Sequence, residues 1–175
     1  MENNLQTFDP RRAGLIERYH AQTHVSRQTV GEHTWQVLRI LTTIWPDIPK
    51  HVLIYAIYHD IAEGVTGDAP YTLKLGDARI KKLMDESENI AYAEIQKHWN
   101  IPDLPCLSED EKKIFKACEL IEMAEYAMYE MNLGNKYAKV VYYRLAPRIR
   151  DVEFECNELT TAYHKYCKAR VEFER

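Results

Sequence analysis

At 175 residues with a formal net charge of −4, the chain can bury one full core and has no bulk attraction for a polyanion, which argues against a nucleic-acid polymer as partner. Only six glycines and seven prolines, with many Leu, Ile, Ala, Glu and Lys, lean the composition toward helix. The longest apolar run, Val52 to Tyr58, is far too short to span a bilayer, and Met1 to Leu5 has neither the basic nor the apolar region of a signal peptide, so a cytoplasmic protein without membrane contact is expected.

No repeat, low-complexity tract or linker divides the sequence, so residues 1–175 read as a single domain. Apolar residues recur at helical spacing almost throughout. The spacing predicts a first helix over about Pro10 to Tyr19, ahead of a loop holding His20, His24 and Arg27. A second helix follows Thr29 as N-cap and runs to about Trp45, with Val30, Val37, Leu38, Leu41, Ile44 and Trp45 as its buried stripe. His33 lies three residues after Val30 and four before Val37, so it points into the core face. The third helix is expected from near Pro49 to about Glu63; His59 and Glu63 then share a face, and Asp60 is rotated by about 100°. Gly64 to Pro70 breaks the pattern with two glycines and a proline. A fourth helix fits about Thr72 to Trp99. Ser108 and Glu111 form a capping box that opens the fifth, which buries Ile114, Cys118, Ile121 and Met128 and stops near Gly134. A final helical region, interrupted at Pro147, turns Ile149, Val152, Cys156, Leu159 and Tyr163 inward. The result is an all-α bundle of about six helices. Cys106, Cys118, Cys156 and Cys167 form no C-x-x-C pair and read as reduced, mostly buried thiols.

Metal-binding residue types are spread across these helices: His33, the His59-Asp60 dipeptide, and Glu119 with Glu122. Two imidazoles and two carboxylates brought together by folding would make a divalent-metal site with positions open for water and substrate, the equipment of a metal-assisted hydrolase. Each residue has an ordinary alternative. A His on an apolar face is commonly a satisfied core residue, a buried Asp can pair with Arg, and most acids of the fifth helix must be solvated.

The wording of the segments narrows the choice. A His on one helix, a His-Asp dipeptide on the next and an acid on a later helix resemble the HD-domain metal phosphohydrolases, and more narrowly the bacterial HD-domain 5'-deoxynucleotidases. Arg18-Tyr19, Val30 to Val37, Tyr58 to Pro70, Ser108 to Lys112 and Lys116 to Glu119 follow that family's motifs in order, over about residues 15 to 135. The block from His59-Asp60 through Thr66-Gly67-Asp68-Ala69-Pro70 is the specific part. The resemblance implies that His33, His59 and Asp60 are metal ligands, with Glu119 standing where the family usually has Asp. Being one methylene longer, Glu119 could bind directly, bind through water, or yield to Glu122 one turn on. It further implies one divalent ion (Co, Mn, Zn, Fe or Mg), Glu63 and Asp68 as catalytic acids, and Arg18 as the holder of the substrate phosphate. Tyr19 replaces the family's Trp at the sugar pocket, and Lys74, Lys81 and Lys116 are further phosphate candidates, although helical lysines are ordinarily solvated. Glu63 as a plain helix-end carboxylate and Asp68 as an Asx-turn are the structural alternatives.

The expected activity is metal-dependent hydrolysis of deoxyribonucleoside 5'-monophosphates to deoxynucleoside and phosphate. One rival reading is a deoxynucleoside triphosphate triphosphohydrolase, such as a phage enzyme acting on one dNTP pool. A rival of another class is a catalytically dead HD scaffold binding a nucleotide or a protein. Helical bundles of this family often associate, so a homodimer or higher homo-oligomer is expected.

Overall fold

The computed structural model describes residues 9–70 and 76–171. A 3₁₀ helix, Pro10–Leu15, is followed by α1 (Val30–Ile44), α2 (Lys50–Tyr58), the single turn α3 (Glu63–Thr66), α4 (Ala78–Trp99), α5 (Glu109–Asn132), α6 (Ala138–Arg150) and α7 (Asn157–Arg170). This is an all-α, single-domain bundle, and among the described residues no sheet forms; one isolated antiparallel bridge joins Glu17 to Thr29. No described helix is long and apolar enough to cross a membrane.

The core gathers around α5, whose Ile114, Cys118, Ile121 and Ala124 pack with Val37, Ile40, Leu41 and Ile44 of α1, Val52 and Ala56 of α2, Tyr142, Leu145 and Ile149 of α6, and Tyr163 and Cys167 of α7. Both long central helices start on the capping boxes that their sequences announce. Thr29 Oγ1 accepts from Glu32 N and Glu32 Oε2 from Thr29 N, while Ser108 Oγ accepts from Glu111 N and Glu111 Oε2 from Ser108 N. Each pair satisfies two helix-end groups and fixes where the first turn begins, and hence which residues of α1 and α5 face inward.

Several boundaries differ from the sequence expectation. The segment from Pro10 forms only one short 3₁₀ helix, because at Ile16 the chain turns extended and pairs with Thr29: Val30 N donates to Ile16 O and Arg18 N to Gln28 O. The expected third helix ends at Tyr58. Ile61 and Glu63 then donate to the carbonyls three residues back, so the chain tightens to 3₁₀ turns before α3. At about 120° per residue in such turns, Glu63 does not stay on the His59 face as it would in a continuous α-helix. Residues 71–75 are outside the described part; the described fourth helix begins at Ala78, after Asp77 caps it by accepting from Arg79 N. Pro147 does not interrupt the last region. It sits in the final turn of α6, and the break falls at residues 151–156. Cys118 and Cys167 are buried, whereas Cys106 and Cys156 are exposed, so only half of the thiols belong to the core.

One close approach fixes the start of the chain on α1. A Cβ on Gly31 would lie 3.0 Å from the carbonyl oxygen of Gly14 and 3.2 Å from its Cα. Backbone meets backbone there, and the 3₁₀ helix is thereby laid against the first turn of α1.

Candidate metal centre

His33 projects from the second turn of α1 and is 1% exposed. Its Nδ1 lies 2.8 Å from Glu122 Oε2, while its Nε2 is buried without a hydrogen-bond partner among the described residues. His59 caps the C-terminus of α2. Its Nδ1 donates to Ala56 O at 2.9 Å, and its ring is braced edge-on by Phe115 at 4.9 Å and stacked with Tyr55 at 6.2 Å. A carbonyl oxygen can only accept, so Nδ1 carries a proton and Nε2 is the nitrogen turned toward Asp60. Asp60 follows in the 3₁₀ turn, its Oδ2 3.0 Å from His59 Nε2 and 3.8 Å from His33 Nε2. The ligand atoms of His33, His59 and Asp60 all lie within 4.8 Å of one another.

These residues fit one divalent cation. Two donors about 2.1 Å from an ion are about 3.0 Å apart at right angles and about 4.2 Å apart when opposite, so the cluster needs only a modest contraction around a metal. Among the described residues the buried Nε2 atoms of both histidines have no hydrogen-bond partner, only the Asp60 carboxylate nearby, the condition in which a metal supplies the missing partner. The electrostatics agree. Burial opposes charge on His59, but the adjacent Asp60 carboxylate outweighs it and pushes the imidazole up to about 9. Burial likewise opposes charge on Asp60, yet His59, His33 and Arg18 hold its carboxyl well below the usual carboxylate range. The site is thus built around a positive charge.

The loop from Arg18 to Gln28 is closed at its neck by the Glu17–Thr29 bridge. Its far side is clamped to the C-terminal half of α5. Glu130 accepts from Val25 N, Ser26 N, Ser26 Oγ and Asn135 Nδ2, Tyr126 OH donates to Ser26 O, and Asn135 Nδ2 also donates to Thr23 O. Burial alone would raise the Glu130 carboxyl, but these bonds bring it down to about 2. Tyr19 takes a left-handed backbone conformation at φ 58° and stacks on Tyr126 with ring centroids 5.0 Å apart. Arg18 lies against the Tyr19 ring, 3.8 Å from Glu122 Oε2, with Nη1 buried and lacking a hydrogen bond among the described residues. Burial works against its charge, but Tyr19, Glu122, Asp60 and Asp68 reinforce it. A guanidinium fork held short of saturation beside a metal cluster is equipped to take an anionic oxygen.

The remaining candidates separate. Glu63 is buried at the first residue of α3. Asp68 is half-buried and near enough to strengthen the charge of Arg18; it follows Gly67, whose φ 76° and ψ 159° suit glycine almost alone. Glu119 contributes to the raised pKa of His59, so it faces the centre, but its Oε2 accepts from Lys116 Nζ at 3.0 Å and it lies outside the three-residue cluster. Lys116 and Lys81 are exposed and paired, with Glu119 and Asp85 respectively. Lys74 lies outside the described residues. Glu122, read from the sequence as a possible substitute ligand, instead sits behind His33, with Oε1 accepting from Gln28 Nε2 at 2.5 Å and Oε2 facing His33 Nδ1. The sequence reading missed Gln28 altogether. Its only signal is its place beside the Thr29 cap, which delivers it to the start of α1.

An interior metal cluster from a His on one helix, a His-Asp pair at the end of the next and a helical scaffold around them defines an HD-domain metal-dependent phosphohydrolase. More narrowly, the chain belongs to the family described as 5'-deoxynucleotidase YfbR-like, whose model matches residues 11–168. It is an enzyme of that type, a metal-dependent phosphohydrolase of deoxynucleotides. Among curated relatives it is 28% identical over 152 residues to 5'-deoxynucleotidase PM0747 of Pasteurella multocida, covering 77% of this chain and 78% of that one. To 5'-deoxynucleotidase YfbR of Salmonella arizonae it is 24% identical over 152 residues, covering 77% and 76%. The fold matches the cyanophage S-2L HD phosphohydrolase DatZ, solved bound to dA and one catalytic Zn²⁺, with a TM-score of 0.66 at 18% identity over 93% of this chain and 94% of that one.

Proposed function

We propose that the protein is a 5'-nucleotidase that hydrolyses deoxyribonucleoside 5'-monophosphates to deoxynucleoside and phosphate, the whole of residues 1–175 serving as one catalytic domain. The observation that carries this reading is the convergence of the buried His33 and His59 Nε2 atoms and Asp60 beside the Arg18 guanidinium, whose Nη1 lacks a hydrogen bond among the described residues. His33, His59 and Asp60 hold one divalent ion, for which Zn²⁺ is the first candidate by likeness to the cyanophage enzyme and Co²⁺, Mn²⁺, Fe²⁺ and Mg²⁺ are alternatives. When bound, such an ion polarises a phosphoryl oxygen and lowers the pKa of a water for in-line attack. Glu119, held by Lys116, would supply the α5 acid to that ion. Arg18 fixes the phosphate, Glu63 handles the proton of the attacking water, Asp68 delivers a proton toward the leaving 5'-oxygen, and Tyr19 shapes the sugar side.

The pairing of Lys81 with Asp85 and of Lys116 with Glu119 favours a monophosphate over a triphosphate, because two further phosphates would call on cations already engaged. The test is a panel of ribo- and deoxynucleotides, as mono- and triphosphates, assayed with added metals and resolving phosphate from triphosphate. Phosphate from deoxynucleoside monophosphates is expected. Triphosphate from deoxynucleoside triphosphates alone would replace this reading with the triphosphohydrolase, and metal binding without any turnover would favour the inactive scaffold.

The proposal extends to a cytoplasmic enzyme, in keeping with four free cysteines. It also extends to a homodimer through the corner of α5 and α6, where Leu133, Tyr137, Val140 and Tyr143 are exposed. Sedimentation should give twice the chain mass, and Tyr137→Asp should return it to one.

A further inference from the structure

We infer that Glu122 is a positioning residue that fixes the tautomer and aim of His33, and that Gln28 holds Glu122 in that task and off the metal. The inference rests on the metal-centre reading above. His33 Nδ1 is 2.8 Å from Glu122 Oε2 in a site where the two side chains are 1% and 2% exposed. With Nδ1 donating to the carboxylate oxygen, the lone pair falls on Nε2, the atom that points at His59 and Asp60. A neutral imidazole without that bond populates both tautomers and turns about its ring axis, and each departure removes Nε2 from the cluster.

The two histidines are aimed by different means. His59 Nδ1 donates to a main-chain carbonyl, that of Ala56, which the fold of α2 supplies. His33 depends on a side chain from α5, eighty-nine residues away in the sequence. Glu122 is available for this because its other oxygen is occupied: Gln28 Nε2 donates to Oε1 at 2.5 Å. An amide at position 28 is the suitable partner, since its N–H donates to a carboxylate oxygen that can only accept. Arg18 Nη1 lies on the same side, 3.8 Å from Oε2. Gln28 leaves the bridge that closes the Arg18 loop, since its own carbonyl accepts from Arg18 N. The phosphate-holding loop and the aim of His33 are therefore set by the same residue.

The test measures metal binding, not turnover. Glu122→Gln keeps the shape and an acceptor oxygen but removes the charge. Its affinity for Co²⁺ or Zn²⁺, from competition with a chelator, should fall about 10- to 100-fold, while the far-UV signal and melting temperature of the metal-free protein stay at wild-type values. Long-range ¹H–¹⁵N spectra of Zn²⁺-loaded wild-type protein labelled at histidine should show His33 protonated at Nδ1 and metal-shifted at Nε2. Wild-type affinity in Glu122→Gln, or a metal-bound Nδ1 on His33, would overturn the inference. If Glu122→Gln fails to fold, the wild-type spectrum decides alone. Wild-type protein that binds no divalent ion overturns the metal centre itself, whereas metal binding with inactivity on every nucleotide removes only the substrate assignment.

Discussion

Glu122 and Glu130 lie eight residues apart on α5 and are buried almost equally, at 2% and 1% exposure, yet their surroundings differ in kind. Glu130 is saturated: two backbone amides, a serine hydroxyl and an asparagine amide all donate to it. Glu122 is tied to groups that are themselves incomplete, with His33 Nε2, Arg18 Nη1 and Gln28 Oε1 all buried without hydrogen bonds among the described residues. A saturated buried carboxylate stabilises a fold. One surrounded by unsatisfied donors and acceptors marks where a ligand completes the network. The C-terminal half of α5 therefore clamps the loop, and the middle of the helix serves the chemistry.

The largest effect should come from striking the unsatisfied region. Asp60→Ala should abolish metal binding and reduce turnover to background while keeping the helical far-UV spectrum, because the cluster loses its only carboxylate. Residual metal-dependent turnover would mean that the ion is held elsewhere. Next, Arg18→Ala should lower kcat/KM about 10- to 100-fold, a larger loss than any change in metal affinity, from one or two charge-assisted hydrogen bonds to phosphate. Metal affinity falling in step would show Arg18 acting on the cluster and not on the substrate.

The saturated region should answer in stability. Glu130→Ala leaves the amides of Val25 and Ser26 without their acceptor and should cost about 3 kcal/mol in denaturant unfolding, with metal affinity unaltered. The same residue predicts an acid response. Its folded-state carboxyl, at about 2, lies below the ordinary value of 4.5, so its contribution is full above about pH 4.5 and is lost as pH falls toward 2. Melting temperatures of wild type and Glu130→Gln should converge across that window; a constant gap would place the stabilisation in shape and not in charge. The smallest effect, about 1 kcal/mol, is expected for Thr29→Ala, which removes the α1 cap and leaves the core intact.

Much of the scaffold was legible because it rests on local rules. The Thr29 and Ser108 capping boxes, the apolar stripe of α1 and the inward position of His33 are consequences of spacing along one helix. The misreadings fall where other backbone bonds override that spacing. Pro10 to Tyr19 looks helical, but Ile16 and Arg18 find better partners in Val30 and Gln28. The helix through His59 and Glu63 looks continuous, but 3₁₀ turns re-aim Asp60 and Glu63. Pro147, a helix breaker in isolation, is accommodated in a last turn whose remaining bonds suffice.

For the centre itself, the sequence determined the chemical inventory: two histidines, an aspartate, neighbouring acids and one arginine, in an order that resembles one family. Residue types and helical phase are properties of the chain alone. Only the tertiary structure decided the division of labour between the acids. It put Glu122 behind His33 and Glu119 against Lys116, though both had read as possible fourth ligands. The physical reason is that helical spacing fixes the direction in which a carboxylate leaves α5 and gives Glu119 its partner Lys116 on the same helix, whereas the role of Glu122 depends on His33 of α1 and on Gln28, which arrive through packing.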